Sequence, residues 1–546
     1  MMMHRRQRRN YFGIIFVLIV VTFMVFALNS LPSDDNNHEH EISPGKKLNA
    51  SEIRLKRDLS LKEAWVKRKN TRSASKSTKF NGIYVNSAYR VSNEEIRFVY
   101  LENQDNRINL KANVPKYGWQ PVEWSCFNST CYDILFCSMA TRFGSIKLAP
   151  NTPHLSEIQL TAEMNDEYTV VPVMDVRMHS TKTYNHSLGV CLQPIFFFTD
   201  WTIIVQFFES WIAQGATKFY FYLHSYTWQT KKVLDFYKES LGDGLELIDW
   251  SDLPVNGRDR GEYDRDPNSR VFRHAATAFM HDCMLRARSN VKFIANTDLD
   301  DLPVASDLNI TTTLDKIAER HPYAAQFKMD WILSNQPQHW DSINHPNDVR
   351  FDLQAVRVLQ VENIRWDYRV SKKMFHRPER VIHFDMHSVY RNELYDDDHQ
   401  HTTIEMFDNP NLYFLHLRRF ERHLMNPPLV EYNTSFDNSI LMKLNEKMGD
   451  NYLKRIDGSR FSDTKLSPWA TEARQVIRDL EVCRREAFGV TLSDINEMCQ
   501  QSSAGCAGMI SSGTQFIRTP QTWINVAHKA FFNTYVEKTR GGFRLF

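Results

Sequence analysis

The sequence predicts an α/β protein built on a largely parallel sheet, and three observations carry that expectation. Helix-period and strand-period segments alternate from about residue 201 to residue 301, which is the pattern of βαβ units. Phe293-Ile294-Ala295 is a short apolar, partly β-branched run, as expected of a buried parallel strand. It runs directly into Asp298, Asp300 and Asp301, at the end of a strand where open α/β sheets bind ligands. Pro303 is read as the end of the extension.

Taken in order, the chain of 546 residues opens with the basic stretch His4-Arg-Arg-Gln-Arg-Arg9 and an uncharged run from Tyr11 to Leu28. That length approaches the ~20 residues a spanning helix needs, and the basic flank predicts a cytoplasmic N-terminus. The expectation is a single-pass type II membrane anchor rather than a cleaved signal peptide, with the body of the chain in the secretory lumen. Five Asn-x-Ser/Thr sequons, at Asn49, Asn128, Asn185, Asn309 and Asn433, agree with a lumenal body. So do eight cysteines, for which a bridge or two is expected with connectivity left open. The formal net charge of +2 offers no whole-chain field for nucleic acid.

Residues 29–79 are polar and basic and read as a stem. Residues 80–167 carry short β-like runs such as Ile96-Arg-Phe-Val-Tyr-Leu101, and form a β-rich accessory region expected to be structural rather than glycan-binding. Trp201 to Ala213 places apolar residues at helical spacing, with Gly215 as the residue that ends the helix. The strand Lys218-Phe-Tyr-Phe-Tyr-Leu223, a helix over about 231–241, the strand Leu245-Glu-Leu-Ile-Asp249 and a helix over about 270–288 lead to the Asp298 strand. A helix near 313–320 and strands at Tyr323–Asp330 and Asn411–His416 follow, with the segments Ser371–Pro378 and Val381–Val389 between them. Beyond about residue 433 the chain reads as helical.

Two carboxylates one residue apart at a strand end can share a hard cation, which in turn can hold a diphosphate. Asp298-Leu-Asp300 therefore looks like the metal and sugar-nucleotide motif of a glycosyltransferase. Around it, the Trp201 helix with Gly-Ala-Thr-Lys-Phe-Tyr-Phe-Tyr, His281-Asp-Cys-Met-Leu-Arg-Ala-Arg288, Arg377-Pro-Glu-Arg-Val381 with His387, and Leu415-His416-Leu-Arg418 recur in order. Together these segments resemble glycosyltransferase family 92, over roughly residues 168–435. The acidic residue after the Asp-x-Asp, commonly Glu in that family, is here Asp301, and the late His-Tyr-Arg is His416-Leu417-Arg418.

The resemblance implies a Golgi membrane enzyme with a GT-A fold, residues 1–10 cytoplasmic, 11–28 spanning, 168–435 catalytic and 436–546 a helical C-terminal region. It implies a UDP-sugar donor, manganese or another divalent cation, and transfer of galactose with inversion to a glycan acceptor. Asp298 and Asp300 are expected to hold metal and donor, with Asp301 and Arg418 on the donor. His416 is the first choice for a further metal ligand and His387 the second. Arg419 and Arg422 are further candidates for diphosphate oxygens. Asp385, with Asp330 as alternative, is the expected base for the acceptor hydroxyl, and Trp331 or Trp366 a stacking surface for acceptor sugar. Membrane contact is through the N-terminal helix, and a homodimer is left open.

Rival readings are weaker. A phosphatase of the haloacid-dehalogenase type wants Thr or Val where Leu302 stands, and a calcium loop needs more regularly spaced ligands. An inactive glycan-binding protein on the same fold is the alternative kept.

Overall fold

The computed structural model describes residues 82–526 except 105–107, 127–130, 132–136, 138, 163–166, 179–182, 261–265, 337–342, 359–371, 408, 419–432, 434–435, 467–473, 477, 481–509 and 511–513. The expected anchor and stem, Asn49, Asn128, Trp366, Arg419, Arg422 and Cys483, Cys499 and Cys506 lie outside the described residues. Among the described residues no helix is long and apolar enough to cross a membrane.

Eight of the nine strands of the first sheet come from the N-terminal half of the chain: β1 (Ile83–Ser92), β2 (Glu95–Asn103), β3 (Leu110–Val114), β4 (Gly118–Pro121), β5 (Glu123–Ser125), β6 (Met139–Lys147), β7 (Glu157–Ala162) and β8 (Thr169–Asp175). Their spatial order is β4-β3-β7-β8-β1-β2-β6-β5. Only Val122 separates β4 from β5, so the two ends of that order are one stretch of chain and the sheet closes into a barrel. Closure removes the unpaired edges that an open sheet presents. Strand alternation sets the two faces: Ala112, Leu160 and Val171 are fully buried inside, while their neighbours Asn113, Gln159 and Val170 face outward. The sheet runs through Asp175, past the 167 boundary expected for the accessory region.

The second sheet begins with β9 (His186–Ile195), β10 (Lys218–Leu223), β12 (Leu245–Asp249) and β13 (Val291–Thr297), while the short β11 (Ser225–Tyr226) lies outside it. It continues with β14 (Asp301–Ala305), β15 (Ala324–Asn335), β16 (Arg357–Val358) and β17 (Lys372–His376). The hairpin β18 (Val381–Phe384) and β19 (Val389–Asn392) forms a separate two-stranded sheet, and β20 (Thr402–Met406) and β21 (Leu412–Arg418) complete the second sheet. The main order is β12-β10-β9-β13-β17-β15-β21-β14. The strands β12, β10, β9 and β13 are mutually parallel, as the βαβ pattern predicts. Beyond them β17 is antiparallel to both β13 and β15, and β14 is antiparallel to β21, so the sheet is mixed.

The helices are α1 (Trp201–Ala213), α2 (Trp228–Leu241), α3 (Ala276–Ala287), α4 (Ile310–Arg320) and α5 (Ser439–Ile456). Asp200 caps α1 by accepting from the amides of Thr202 (3.1 Å) and Ile203 (3.2 Å). Gly215 follows the helix at φ +98°, the left-handed geometry its position predicts. Inside, Phe208 stacks on Tyr237 with ring centroids 4.2 Å apart and packs on Phe219 of the sheet.

Three expectations are corrected. Pro303 does not end a strand but sits within β14, opposite Phe414; β14 is an edge strand, where proline's missing N–H costs no ladder bond. The helix expected from residue 270 starts at Ala276, because Arg273, His274 and Ala275 all take positive φ (42°, 55° and 64°) and break helical propagation. The C-terminal region is helical in α5, but its later part returns as extended chain. There β22 (Ile517–Arg518) pairs with β11 and β23 (Ile524–Asn525) with β1, and Trp523 packs on Trp250 at 4.8 Å.

Barrel and sheet are joined by buried polar bonds. Asp282 on α3 accepts from Ser87 Oγ (3.0 Å) and Tyr89 Oη (2.5 Å) of the barrel and from Tyr222 Oη (2.5 Å) of β10. Disulfides join Cys126 to Cys131 and Cys191 to Cys283, the latter tying β9 to α3.

Candidate active site

The site forms where β13 hands over to β14. Only Asp298, Leu299 and Asp300 lie between the two strands, so the loop is short and its backbone is held at both ends. The Asp301 amide donates to Asp298 O (3.2 Å), and the Leu417 amide on β21 donates to Asp300 O (2.7 Å). The β14–β21 register sets Asp301 opposite His416, which brings together side chains 115 residues apart.

Asp301 is the buried member of the acidic trio, with no solvent exposure of its side chain. Its Oδ2 accepts from Thr297 Oγ1 (3.2 Å), the Asp298 amide (3.0 Å) and Lys373 Nζ (2.7 Å). Its Oδ1 accepts from Trp331 Nε1 (2.7 Å) and His416 Nδ1 (2.8 Å). Burial alone would raise its pKa, but Lys373 and His416 reverse that and hold the carboxyl well below the usual range. Asp301 is therefore not a donor-facing group, as expected from sequence, but the anchor on which the other residues are arranged.

Lys373, on β17, is the residue sequence reasoning missed. Its side chain is fully buried and its ammonium bridges Asp298 Oδ2 (3.0 Å) and Asp301 Oδ2 (2.7 Å). Burial favours loss of its proton, yet the two carboxylates keep its pKa above the ordinary lysine value. A signal existed: a lysine inside the strand Lys372-Lys-Met-Phe-His376 must either reach solvent or find an anion. Alternation sends Lys373 toward Asp298 and Asp301 and Lys372 the other way, toward Asp330.

Asp298 and Asp300 retain about a quarter of their side-chain exposure (24% and 25%), so they face the open side of the cluster. His416 lies behind them, 3% exposed, with Nδ1 also 3.6 Å from Asp300 Oδ1. Ligand atoms of Asp300, Asp301 and His416 all fall within 4.8 Å of one another. With Nδ1–H given to Asp301, the lone pair of His416 is on Nε2, and that atom is sealed from solvent with no hydrogen-bond partner among the described residues. An orphaned buried imidazole nitrogen whose other nitrogen is held by a carboxylate is the arrangement found in metal-ligating histidines. Partly exposed carboxylates together with this histidine suit a divalent cation.

His387, in the turn between β18 and β19, also borders the cluster. Its Nδ1 hydrogen-bonds Lys372 O (2.7 Å), and its ring centroid lies 6.0 Å from that of Trp331. Burial lowers its pKa, the Lys372 carbonyl opposes this, and the nearby Lys373 charge lowers it further. The imidazole is thus neutral, with Nε2 as its acceptor atom.

The two expected bases both have partners within the fold. Asp385 accepts from the amides of His387 (2.7 Å) and Ser388 (2.6 Å) through Oδ1 and from Tyr390 Oη (2.6 Å) through Oδ2, so it shapes the turn that carries His387. Asp330 is opposite Lys372 in the β15–β17 register and ion-paired to its Nζ at 2.5 Å. Trp331 is likewise an internal wall, giving its indole N–H to Asp301 and packing on the His416 ring at 4.1 Å. Arg418 sits opposite Asn335 on β21, and its side chain is outside the described set. Of the sequons, Asn185, Asn309 and Asn433 are all exposed, and Asn309 caps α4 through Oδ1. A cavity of about 430 Å³, lined in part by Trp124, His281, His383 and Arg391, lies between the barrel wall and the β18–β19 hairpin and includes none of the carboxylates above.

The family model for glycosyltransferase family 92 matches residues 186–459, from the first strand of the second sheet to just past α5. A curated glycosyltransferase family 92 protein of Caenorhabditis elegans is 28% identical over 140 residues, covering 25% of this chain and 27% of that protein. The chain thus matches about a quarter of that relative's length. Among solved structures, the amylomaltase of Corynebacterium glutamicum overlaps 33% of this chain and 25% of its own at 16% identity, with a TM-score of 0.13.

Proposed function

Starting from the fact that the chain belongs to glycosyltransferase family 92, we propose that it transfers a sugar, most simply galactose from UDP-galactose, to a glycan acceptor in the Golgi lumen. The family membership supports the glycosyltransferase class. The single observation that carries the site assignment is the cluster at the β13–β14 junction, where Asp298 and Asp300 each keep about a quarter of their side-chain exposure while Asp301, Lys373, Trp331 and His416 lie behind them. The second sheet, with its parallel half and acidic loop at a strand end, supports a GT-A reading of the fold.

In this reading Asp300 and Asp298, with His416 behind them, would hold a divalent cation such as manganese. When bound, that ion supplies positive charge against the departing diphosphate. The protein's own residues do the positioning. Asp301 holds His416 in the tautomer that presents Nε2, and Lys373 fixes Asp298 while adding positive charge of its own beside the diphosphate position. The loop backbone is held by the Leu417 amide of β21, which donates to Asp300 O, and by the Asp301 amide, which donates to Asp298 O, so the carboxylates do not have to be ordered when donor arrives.

Inversion at the anomeric carbon requires a base for the acceptor hydroxyl. Asp385 and Asp330 are engaged elsewhere, and His387 is the neutral group beside the cluster with a lone pair to offer. We assign it the base. Asp385 then acts through it, as the positioning residue of the turn.

The test is transfer by the purified chain from UDP-galactose, UDP-N-acetylglucosamine, UDP-glucose and GDP-fucose to a mixed glycan acceptor pool, with manganese or chelator. Manganese-dependent transfer from one donor, lost in a folded Asp300→Asn variant, supports the proposal and identifies the sugar. Absence of both transfer and donor hydrolysis would overturn it.

A further inference from the structure

The outer wall of the barrel carries a surface that the transferase site does not use. Along one cross-strand row, Trp119 on β4 pairs with Asn113 on β3, Asn113 with Gln159 on β7, and Gln159 with Val170 on β8. Directly paired residues share a face, and this face is the outward one, since the alternate residues Ala112, Leu160 and Val171 fill the core. Trp119 is 45% exposed, Val170 42% and Tyr168, two residues before Val170, 43%. Two strands stand between β4 and β8, yet the Trp119 and Tyr168 rings approach to 6.3 Å at an interplanar angle of 56°. Both large rings are therefore held over the wall rather than folded into the core.

The polar groups in the same row are also arranged. Asn113 Nδ2 donates to Gln159 Oε1 at 2.8 Å. That bond fixes both amides and leaves Asn113 Oδ1 as an acceptor and Gln159 Nε2 as a donor without a partner among the described residues. Among the described residues, Lys111, Lys116, Glu157 and Glu167 lie on the strands of this row or the turns beside them, two of each sign.

We propose that this wall is a glycan-binding site, separate from the transfer site, for an uncharged oligosaccharide. The assignment follows from complementarity. The apolar C–H face of a pyranose packs on an aromatic ring, and Tyr and Trp supply large contact area at small entropic cost. Adjacent hydroxyls, each both donor and acceptor, match the fixed amide donor and acceptor of Gln159 and Asn113. The balanced charge fits a neutral ligand and gives no advantage to sulfated or otherwise acidic chains. Protein or lipid partners would call for a wider apolar patch or a one-signed field, which this row lacks. The proposal is independent of catalysis, because the barrel lies outside the matched transferase segment.

The experiment uses the purified full chain and immobilised neutral probes, namely galacto-oligosaccharides, chito-oligosaccharides and mannan, with heparin as the charged control. Expected is binding to at least one neutral probe, weakened tenfold or more by Trp119→Ala and by Tyr168→Ala, with melting temperature and donor turnover unchanged. Asn113→Leu, which breaks the amide pair but keeps the rings, should weaken binding several-fold. An Asp300→Asn variant should bind the same probe undiminished, which separates this site from the active site. Binding to none of the neutral probes would overturn the proposal. So would binding indifferent to Trp119→Ala, preference for heparin, or a Trp119→Ala variant whose only change is conversion of a dimer to a monomer, which would make the wall a self-association surface.

Discussion

Lys373 Nζ lies 2.7 Å from Asp301 Oδ2, and neither side chain has any solvent exposure. A buried pair of this kind is costly to half-remove, because the survivor keeps its charge in a medium that cannot solvate it. Asp301→Asn should therefore destabilise the fold by ~3–5 kcal/mol, read as a drop in denaturation midpoint. Lys373→Met should do the same through the other partner. A neutral effect of either on stability would refute the anchoring role.

The outer carboxylates should behave in the opposite way. Asp298 and Asp300 keep about a quarter of their exposure, so Asp300→Asn should leave the melting temperature nearly unchanged while transfer falls by at least ~100-fold, about 2.7 kcal/mol of barrier. Thermal unfolding and initial rates on the same preparation separate the two classes of aspartate.

His416 is predicted to matter through its unpaired nitrogen. His416→Phe preserves ring packing against Trp331 but removes Nε2. Metal affinity, followed by titration with manganese, should fall by ~10–100-fold. His387→Asn, by contrast, should leave metal affinity intact and lower turnover by ~10²–10⁴-fold, the range for loss of a general base.

Part of the acid sensitivity should come from His281, one of several histidines whose pKa burial lowers, with His274, His376 and His383. His281 gives Nδ1–H to Thr277 O (2.8 Å) and accepts the Phe384 amide at Nε2, and burial pushes its pKa down to about 4. The unfolded chain, with an ordinary value of ~6.5, binds the proton first as pH falls. Stability is therefore lost between about pH 6.5 and 4, at up to ~1.4 kcal/mol per pH unit for this residue. Below that window its contribution is constant. His281→Leu should lower stability at neutral pH but flatten the acid limb of a stability–pH curve.

The Cys191–Cys283 bridge closes a sequence separation of 92 residues between β9 and α3. Replacing both cysteines by Ala should cost ~2–5 kcal/mol and should be measurable as a lowered urea midpoint. An unchanged midpoint would show that the packing of α3 on β9 is sufficient without the bond.

The sequence by itself determined whatever depends on neighbours along the chain. Alternation and helical period placed β10, β12 and β13 with α1 and α2, and the Asp298-x-Asp300 pair was visible because both carboxylates sit on one short loop. The glycine after α1 could be read because a helix end constrains a single φ. The partners of that loop were decided by tertiary structure alone. Which of three aspartates is buried depends on β14 pairing with β21, 115 residues away in the Asp301–His416 case, and on a lysine delivered by β17. Asp330 and Asp385 looked like bases because strand-end carboxylates are chemically alike until their hydrogen-bond partners are known. Those partners are set by strand register, and register is a property of packed sheets: a one-residue slip reverses every side chain, and nothing local in the sequence forbids it.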